Sequence, residues 1–181
     1  AAAPTDNPMF DRLVTLKNSG VKIIMTVATL RDVKGIRNLI EAAFHLRQTY
    51  SERFSVVFVG KGDPAVYELL ANQLGVAPDV AFVGVQKDVP AFLHLADITV
   101  AISGGGGVSN AAVEMMAAQR PVIAWDNLTY SQLITHGVSG HLVKDRDARA
   151  LADGIQRLLQ EPEYAASLAQ NAQMVAAEYD W

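Results

Sequence analysis

Short apolar runs alternate with stretches whose apolar positions recur every three or four residues, almost without interruption from Val21 to Tyr179. Buried parallel strands read as continuous apolar runs, and the helices that cover them read with the longer period. The pattern predicts strands over 21–28, 54–59, 80–83, 98–102, 121–124 and 140–143. It predicts helices over 33–50, 64–74, 89–95, 108–118, 130–136, 148–159 and 162–179. Pro64 and Pro162 stand at first-turn positions, where a missing N–H costs nothing, and each follows an acid, Asp63 or Glu161, suited to the helix dipole. The expected fold class is α/β, a doubly wound parallel sheet of about six strands with helices on both faces. In chain order it makes two β-α-β-α-β halves, with a switch point between strands one and four.

The 181 residues, 50% hydrophobic and 19% charged, fit one domain over 21–181, preceded over 1–20 by a linker remnant and lead-in. The opening Ala-Ala-Ala-Pro-Thr-Asp-Asn-Pro has no basic start followed by an apolar stretch and so does not read as a signal peptide. A net charge of −4 without a Lys/Arg cluster excludes a polynucleotide partner from the reading. No apolar run reaches the roughly eighteen residues of a membrane span, so membrane contact is not indicated. The absence of cysteine rules out disulfides and thiolate chemistry, and it fits the reducing, cytoplasmic location expected here.

Chemistry concentrates between Asp97 and Ala124, where an apolar strand runs into Gly104, Gly105, Gly106 and Gly107, then into a helix. Four glycines at a strand-to-helix junction let a backbone approach a ligand closely, though a tight turn is the plainer alternative. No Lys-Ser or Lys-Thr follows, so the turn is not a phosphate loop of the Walker type. Glu114 lies four residues after Asn110 on one helix face, amid otherwise apolar positions 111–118. Burying it would require hydrogen-bond donors, which ribose hydroxyls could supply; an exposed helical glutamate is the alternative. Lys34 stands at the start of a helix, where the dipole disfavours a cation and an anionic ligand would relieve the conflict. Arg31 could share that role, and the turn Gly60-Lys61-Gly62 could add backbone donors. The four histidines are scattered and are expected on surfaces, with no metal site. Asp145 and Asp147 suit helix capping, while Trp125 and Tyr130 either line a pocket or close a sheet edge.

In order and spacing these residues resemble the C-terminal, nucleotide-sugar-binding half of retaining glycosyltransferases of the GT-B fold, of the group 1 type. The resemblance runs from about Val21 to Trp181. It is carried by Leu30 with Lys34-Gly35, Val80-Ala-Phe-Val-Gly84, Ala96-Asp97, Ser103, Gly107, Glu114, Met116-Ala117 and Pro121-Val-Ile-Ala124. Gly137-Val-Ser-Gly140-His-Leu-Val143, Asp147 with Leu151-Ala152, and Tyr179-Asp-Trp181 complete it.

The resemblance implies a Rossmann-like, donor-binding domain that uses a nucleoside diphosphate sugar, with no metal or other cofactor, and works with an N-terminal acceptor-binding domain of the same protein. Lys34 is then the catalytic cation on the diphosphate, and Glu114 binds the ribose. Gly106, Gly107, Val108, Ser109 and Asn110 border the sugar and distal phosphate, with backbone amides around Gly107 to Ser109 as donors, and Arg31 and Gly60 lie beside them. Three positions depart from the family pattern. Ala28-Thr29 stands for Gly-Arg, Gly106 for the first acid of an E-x(7)-E pair, and Ile102 for the proline before Ser103. They leave open a non-catalytic nucleotide-binding or interaction module of the same fold. The Ser-Gly-Gly turn also leaves open an epimerase-like sugar-nucleotide enzyme.

Overall fold

The computed structural model describes residues 6–104 and 109–179. Six parallel strands, β1 (Lys22–Val27), β2 (Phe54–Val59), β3 (Val80–Gly84), β4 (Ile98–Ala101), β5 (Val122–Asp126) and β6 (His141–Lys144), form one sheet in the order β3-β2-β1-β4-β5-β6. The switch point therefore falls between β1 and β4, as the element order predicts, and the doubly wound α/β class holds. β2 is buried along its whole length, which explains its unbroken apolar run.

The helices are α1 (Pro8–Asn18), α2 (Ile36–Thr49), α3 (Ala65–Gln73), α4 (Val89–Leu95), α5 (Asn110–Ala117), α6 (Leu128–Ser131), α7 (Ala148–Gln160) and α8 (Pro162–Ala176). α2 packs against α3 and α7 on one face of the sheet, while α1 packs on α4 and α5 on α8. In α7, Leu151, Ala152, Ile155 and Leu158 form the buried stripe, and Asp147 caps its first turn by accepting from the Ala150 N–H at 2.9 Å. Capping by Asp147 is thus as expected.

Three features differ from the sequence reading. The lead-in contains a helix that periodicity did not place: Asn7 accepts from the N–H groups of Met9 and Phe10, Pro8 fills the first turn, and Phe10 and Leu13 are buried. Next, α6 begins earlier than position 130 and ends earlier than 136, because Asn127 caps it through the Thr129 N–H at 3.0 Å. Finally, His141 is not on the surface; it is 7% exposed on β6, beneath α7 and α8.

His141 shares a 3.0 Å hydrogen bond with the Tyr164 hydroxyl, and its ring lies 4.9 Å from that of His136. Burial first, then the neighbouring His136 and Arg157, pull its pKa from 6.5 down to about 4, opposed only by Glu161. The unfolded chain accordingly takes up a proton near pH 6.5 that the folded chain refuses until about pH 4. The contribution of this group is complete above pH 6.5 and is lost as pH falls towards 4. His141→Gln should flatten this part of the acid decline by roughly 1–2 kcal/mol after solvent screening. Urea midpoints at pH 7 and pH 5 check this, and equal declines in parent and variant would refute it.

Candidate functional site

The carboxyl ends of β1, β2 and β4 surround a cavity of about 380 Å³, where parallel sheets of this winding hold ligands. That volume lies within the range of small-molecule sites. Its polar lining includes Thr29, Lys34, Gly60, Ser103, Ser109 and Tyr130, and an apolar wall is formed by Val59, Val85, Val89 and Met115.

Gly60 closes the tight turn after β2 at φ +151, and a Cβ there would lie 1.9 Å from the Ala28 carbonyl oxygen. Only glycine permits that approach of the turn to the end of β1. Its own N–H donates to the Gly84 carbonyl at 3.0 Å, so the ends of β1, β2 and β3 meet at one turn.

Lys34 ends a 3-10 turn, Asp32–Lys34, and donates from Nζ to the Ser103 hydroxyl at 3.3 Å. The next residue, Gly35, at φ +71, opens α2 without a side-chain cap and with no acid in the first turn. A half-buried cation thus stands beside a helix start that has no side-chain cap, a combination that favours an anion.

Ser103, Gly104 and Ser109, the described residues next to 105–108, are each tied by hydrogen bonds. Tyr130, 1% exposed, accepts from the Ser103 N–H at 2.7 Å, and its hydroxyl also bonds the Ser109 side chain. Burial pushes this phenol above its ordinary pKa, against the lowering effect of those two hydrogen bonds. Asn127 Nδ2 reaches the Ser103 carbonyl at 3.4 Å and donates to Asp145 at 3.0 Å, while the Gly104 N–H donates to the Val33 carbonyl at 2.8 Å. Ser109 caps α5 by accepting from the Ala112 N–H at 3.3 Å.

Of the residues singled out from sequence, Lys34, Gly60 and Ser109 come together in this cavity, and Tyr130 lines it too. Gly106, Gly107 and Val108 lie outside the described residues. Arg31, Asn110 and Glu114 are exposed and do not line the cavity. The premise that burial would force partners on Glu114 is corrected. Asn110, Glu114 and Ala117 form the exposed stripe of α5, while Ala112, Val113, Met115 and Met116 are buried. Lys61, named from sequence only within a turn of backbone donors, and Gln86, not named at all, also line the cavity. Lys61 could have been found in its glycine-flanked turn, whereas Gln86, which accepts from Asn7 at 2.8 Å, has no local signal.

Among the described residues no His, Asp and Glu side chains group so as to hold a metal ion, and no helix is long and apolar enough to cross a membrane.

The family model for glycosyl transferases group 1 matches residues 10–175. EpsD of Bacillus subtilis (strain 168), a protein named as a glycosyltransferase, is 34% identical over 158 residues, covering 87% of this chain and 41% of its own length. Anabaena Alr3699/HepE, solved in complex with UDP and glucose, superposes with a TM-score of 0.83 at 23% identity, covering 95% of this chain and 48% of that one. The C-terminal domain of the group 1 glycosyl transferase LpcC from Francisella tularensis superposes with a TM-score of 0.77 at 23% identity, and the two cover 97% and 94% of each other. The chain thus spans less than half the length of EpsD and of the HepE structure.

Proposed function

Because the chain belongs to the glycosyl transferases group 1 family, we propose that it is the donor-binding half of a retaining, metal-independent glycosyltransferase, with a nucleoside diphosphate sugar in the cavity at the switch point. The observation that carries this reading is the convergence of Lys34, the turn at Gly60 and the Ser109 end of the glycine stretch on that cavity. Lys34 and the start of α2 face the diphosphate, and the apolar wall of Val59, Val85, Val89 and Met115 suits a flat base or sugar face. Glu114, whose side chain makes no hydrogen bond or ion pair among the described residues, is free to accept from the ribose hydroxyls, with Asn110 one turn away on the same stripe. Gly106, Gly107 and Val108 border the sugar, and Arg31 approaches the phosphates from the rim.

During transfer the bond between the anomeric carbon and the diphosphate oxygen breaks and its electron pair leaves with the diphosphate. The cation at Lys34 and the helix end offset that charge without a metal. The acceptor and the face it enters from belong to an N-terminal domain, in line with relatives of about twice the length. A cytoplasmic location belongs to the same reading.

A second reading has its own observation. Thr29 lines the cavity where the family pattern has arginine, and Arg31 does not replace it there. That favours a module that binds nucleotide but does not transfer sugar.

Thermal-shift titration with UDP, GDP, ADP and their sugar conjugates tests the binding site common to both readings. One nucleotide at about 100 times its dissociation constant should add roughly 2.7 kcal/mol of stability, and Glu114→Ala should reduce the gain. No shift with any of them in a folded sample would remove the donor-site assignment. Sugar transfer by a longer chain that includes the second domain would decide against the non-catalytic reading.

A further inference from the structure

At the opposite end of the sheet, the amino ends of β2 and β3 border a second cavity of about 240 Å³, closed by α1 and by the 3-10 turn Ala77–Asp79. Three guanidinium groups line it: Arg12 from α1, Arg47 from the last turn of α2, and Arg53 just before β2. Among the described residues the one carboxylate in the lining is Asp79, which pairs with Arg47 in a two-pronged contact. Arg47 is further fixed over the Phe54 ring, 4.4 Å from its centroid. The side chains of Arg12 and Arg53 make no hydrogen bond, ion pair or ring contact among the described residues.

An independent observation comes from the floor of this cavity. Ser55 is only 6% exposed and lines the cavity, yet its hydroxyl has no hydrogen-bond partner among the described residues. The hydroxyl is thus free to donate to a small acceptor that enters the cavity. Three positive groups against one negative leave the lining with an excess of two, so the acceptor that fits is an anion. Guanidinium forks match tetrahedral oxyanions with paired, charge-assisted hydrogen bonds. The volume is below that of a drug-sized site, which restricts the occupant to a small species.

We propose that this cavity is a second binding site, distinct from the donor cavity, for a small phosphoanion held by Arg12, Arg53 and the Ser55 hydroxyl, with Arg47 fixed in place by Asp79. Inorganic phosphate and the phosphate of a short phosphomonoester share this chemistry. The proposal does not depend on the glycosyltransferase reading.

The test is an amide NMR titration of the 181-residue chain carrying Lys34→Ala, so that phosphate binding at the donor cavity does not enter the result. Inorganic phosphate, glycerol 3-phosphate and glycerol are compared at constant ionic strength. The expected result is a saturable shift of the Ser55, Val80 and Ala81 amides with one or both phosphates and none with glycerol. Saturation with phosphate alone assigns the free ion, and tighter binding of glycerol 3-phosphate assigns a phosphomonoester. The exposed double change Arg12→Ala with Arg53→Ala should weaken binding about tenfold or more, as should Ser55→Ala. Absence of saturation below about 10 mM, or undiminished shifts in the double variant, would overturn the proposal.

Discussion

Gly60→Ala is expected to destabilise the domain by roughly 2–5 kcal/mol, the sum of strain at a left-handed backbone position and of overpacking against an immovable neighbour. The added methyl would stand 1.9 Å from the Ala28 carbonyl oxygen and 2.7 Å from its carbon, both backbone atoms that no rotamer change can move. Relief requires the end of β1 to part from the turn after β2, where the Ala28 N–H donates to the Val59 carbonyl at 2.9 Å and the Leu30 N–H to the Lys61 carbonyl at 2.8 Å. Those bonds carry the chain into the loop that positions Lys34, so the variant should also lose nucleotide binding. Gly20→Ala is the control. Gly20 also has positive φ, at +85, but a Cβ there meets nothing within 4 Å, and its cost should be only about 1 kcal/mol. Urea unfolding of the two variants separates close approach from backbone conformation, and equal losses would show that the approach at Gly60 does not constrain the fold.

The sheet was legible because its strands are buried on both faces and therefore announce themselves as apolar runs, and because their order leaves one place for the chain to reverse. The lead-in helix was hidden for a different reason. Its start signal, Asn7 followed by Pro8, sits next to an alanine- and proline-rich opening that reads as linker, and its buried face is narrow, resting on Phe10 and Leu13. His141 misled because histidine usually stays wet, yet the C-terminal helix brings Tyr164 over an edge strand that would otherwise face solvent.

At the site, Lys34 could be found from sequence because its charge opposes the local helix dipole, a conflict that is visible in one dimension. Glu114 shows the reverse. The wet stripe of this alanine-rich helix continues from Asn110 and Glu114 to Ala117, and that alanine conceals the 3.6-residue period and makes the glutamate look embedded. Tyr130 was visible only as one of two uses, because its partners, Ser103 and Ser109, are brought to it by a different strand and helix.

Lys34→Ala should weaken binding of the preferred nucleoside diphosphate about 10- to 100-fold, the worth of one charge-assisted contact, while leaving the phosphate-free nucleoside nearly unaffected. The distinction follows from where the ammonium stands. It is tethered to Ser103 at 3.3 Å, beside a helix start that has no side-chain cap, and the apolar wall that suits a base is formed by other residues. The free protein should not be destabilised by more than about 1 kcal/mol, since the change loses one hydrogen bond and also relieves the repulsion between cation and dipole. Lys34→Arg should keep part of the diphosphate affinity, because the charge persists while its reach and geometry change. Calorimetric titrations of nucleoside and diphosphate into the three proteins decide the matter. Equal weakening of both ligands would mean that Lys34 shapes the cavity and does not contact phosphate, and an unchanged diphosphate affinity would move the phosphates to the other cation in the lining, Lys61.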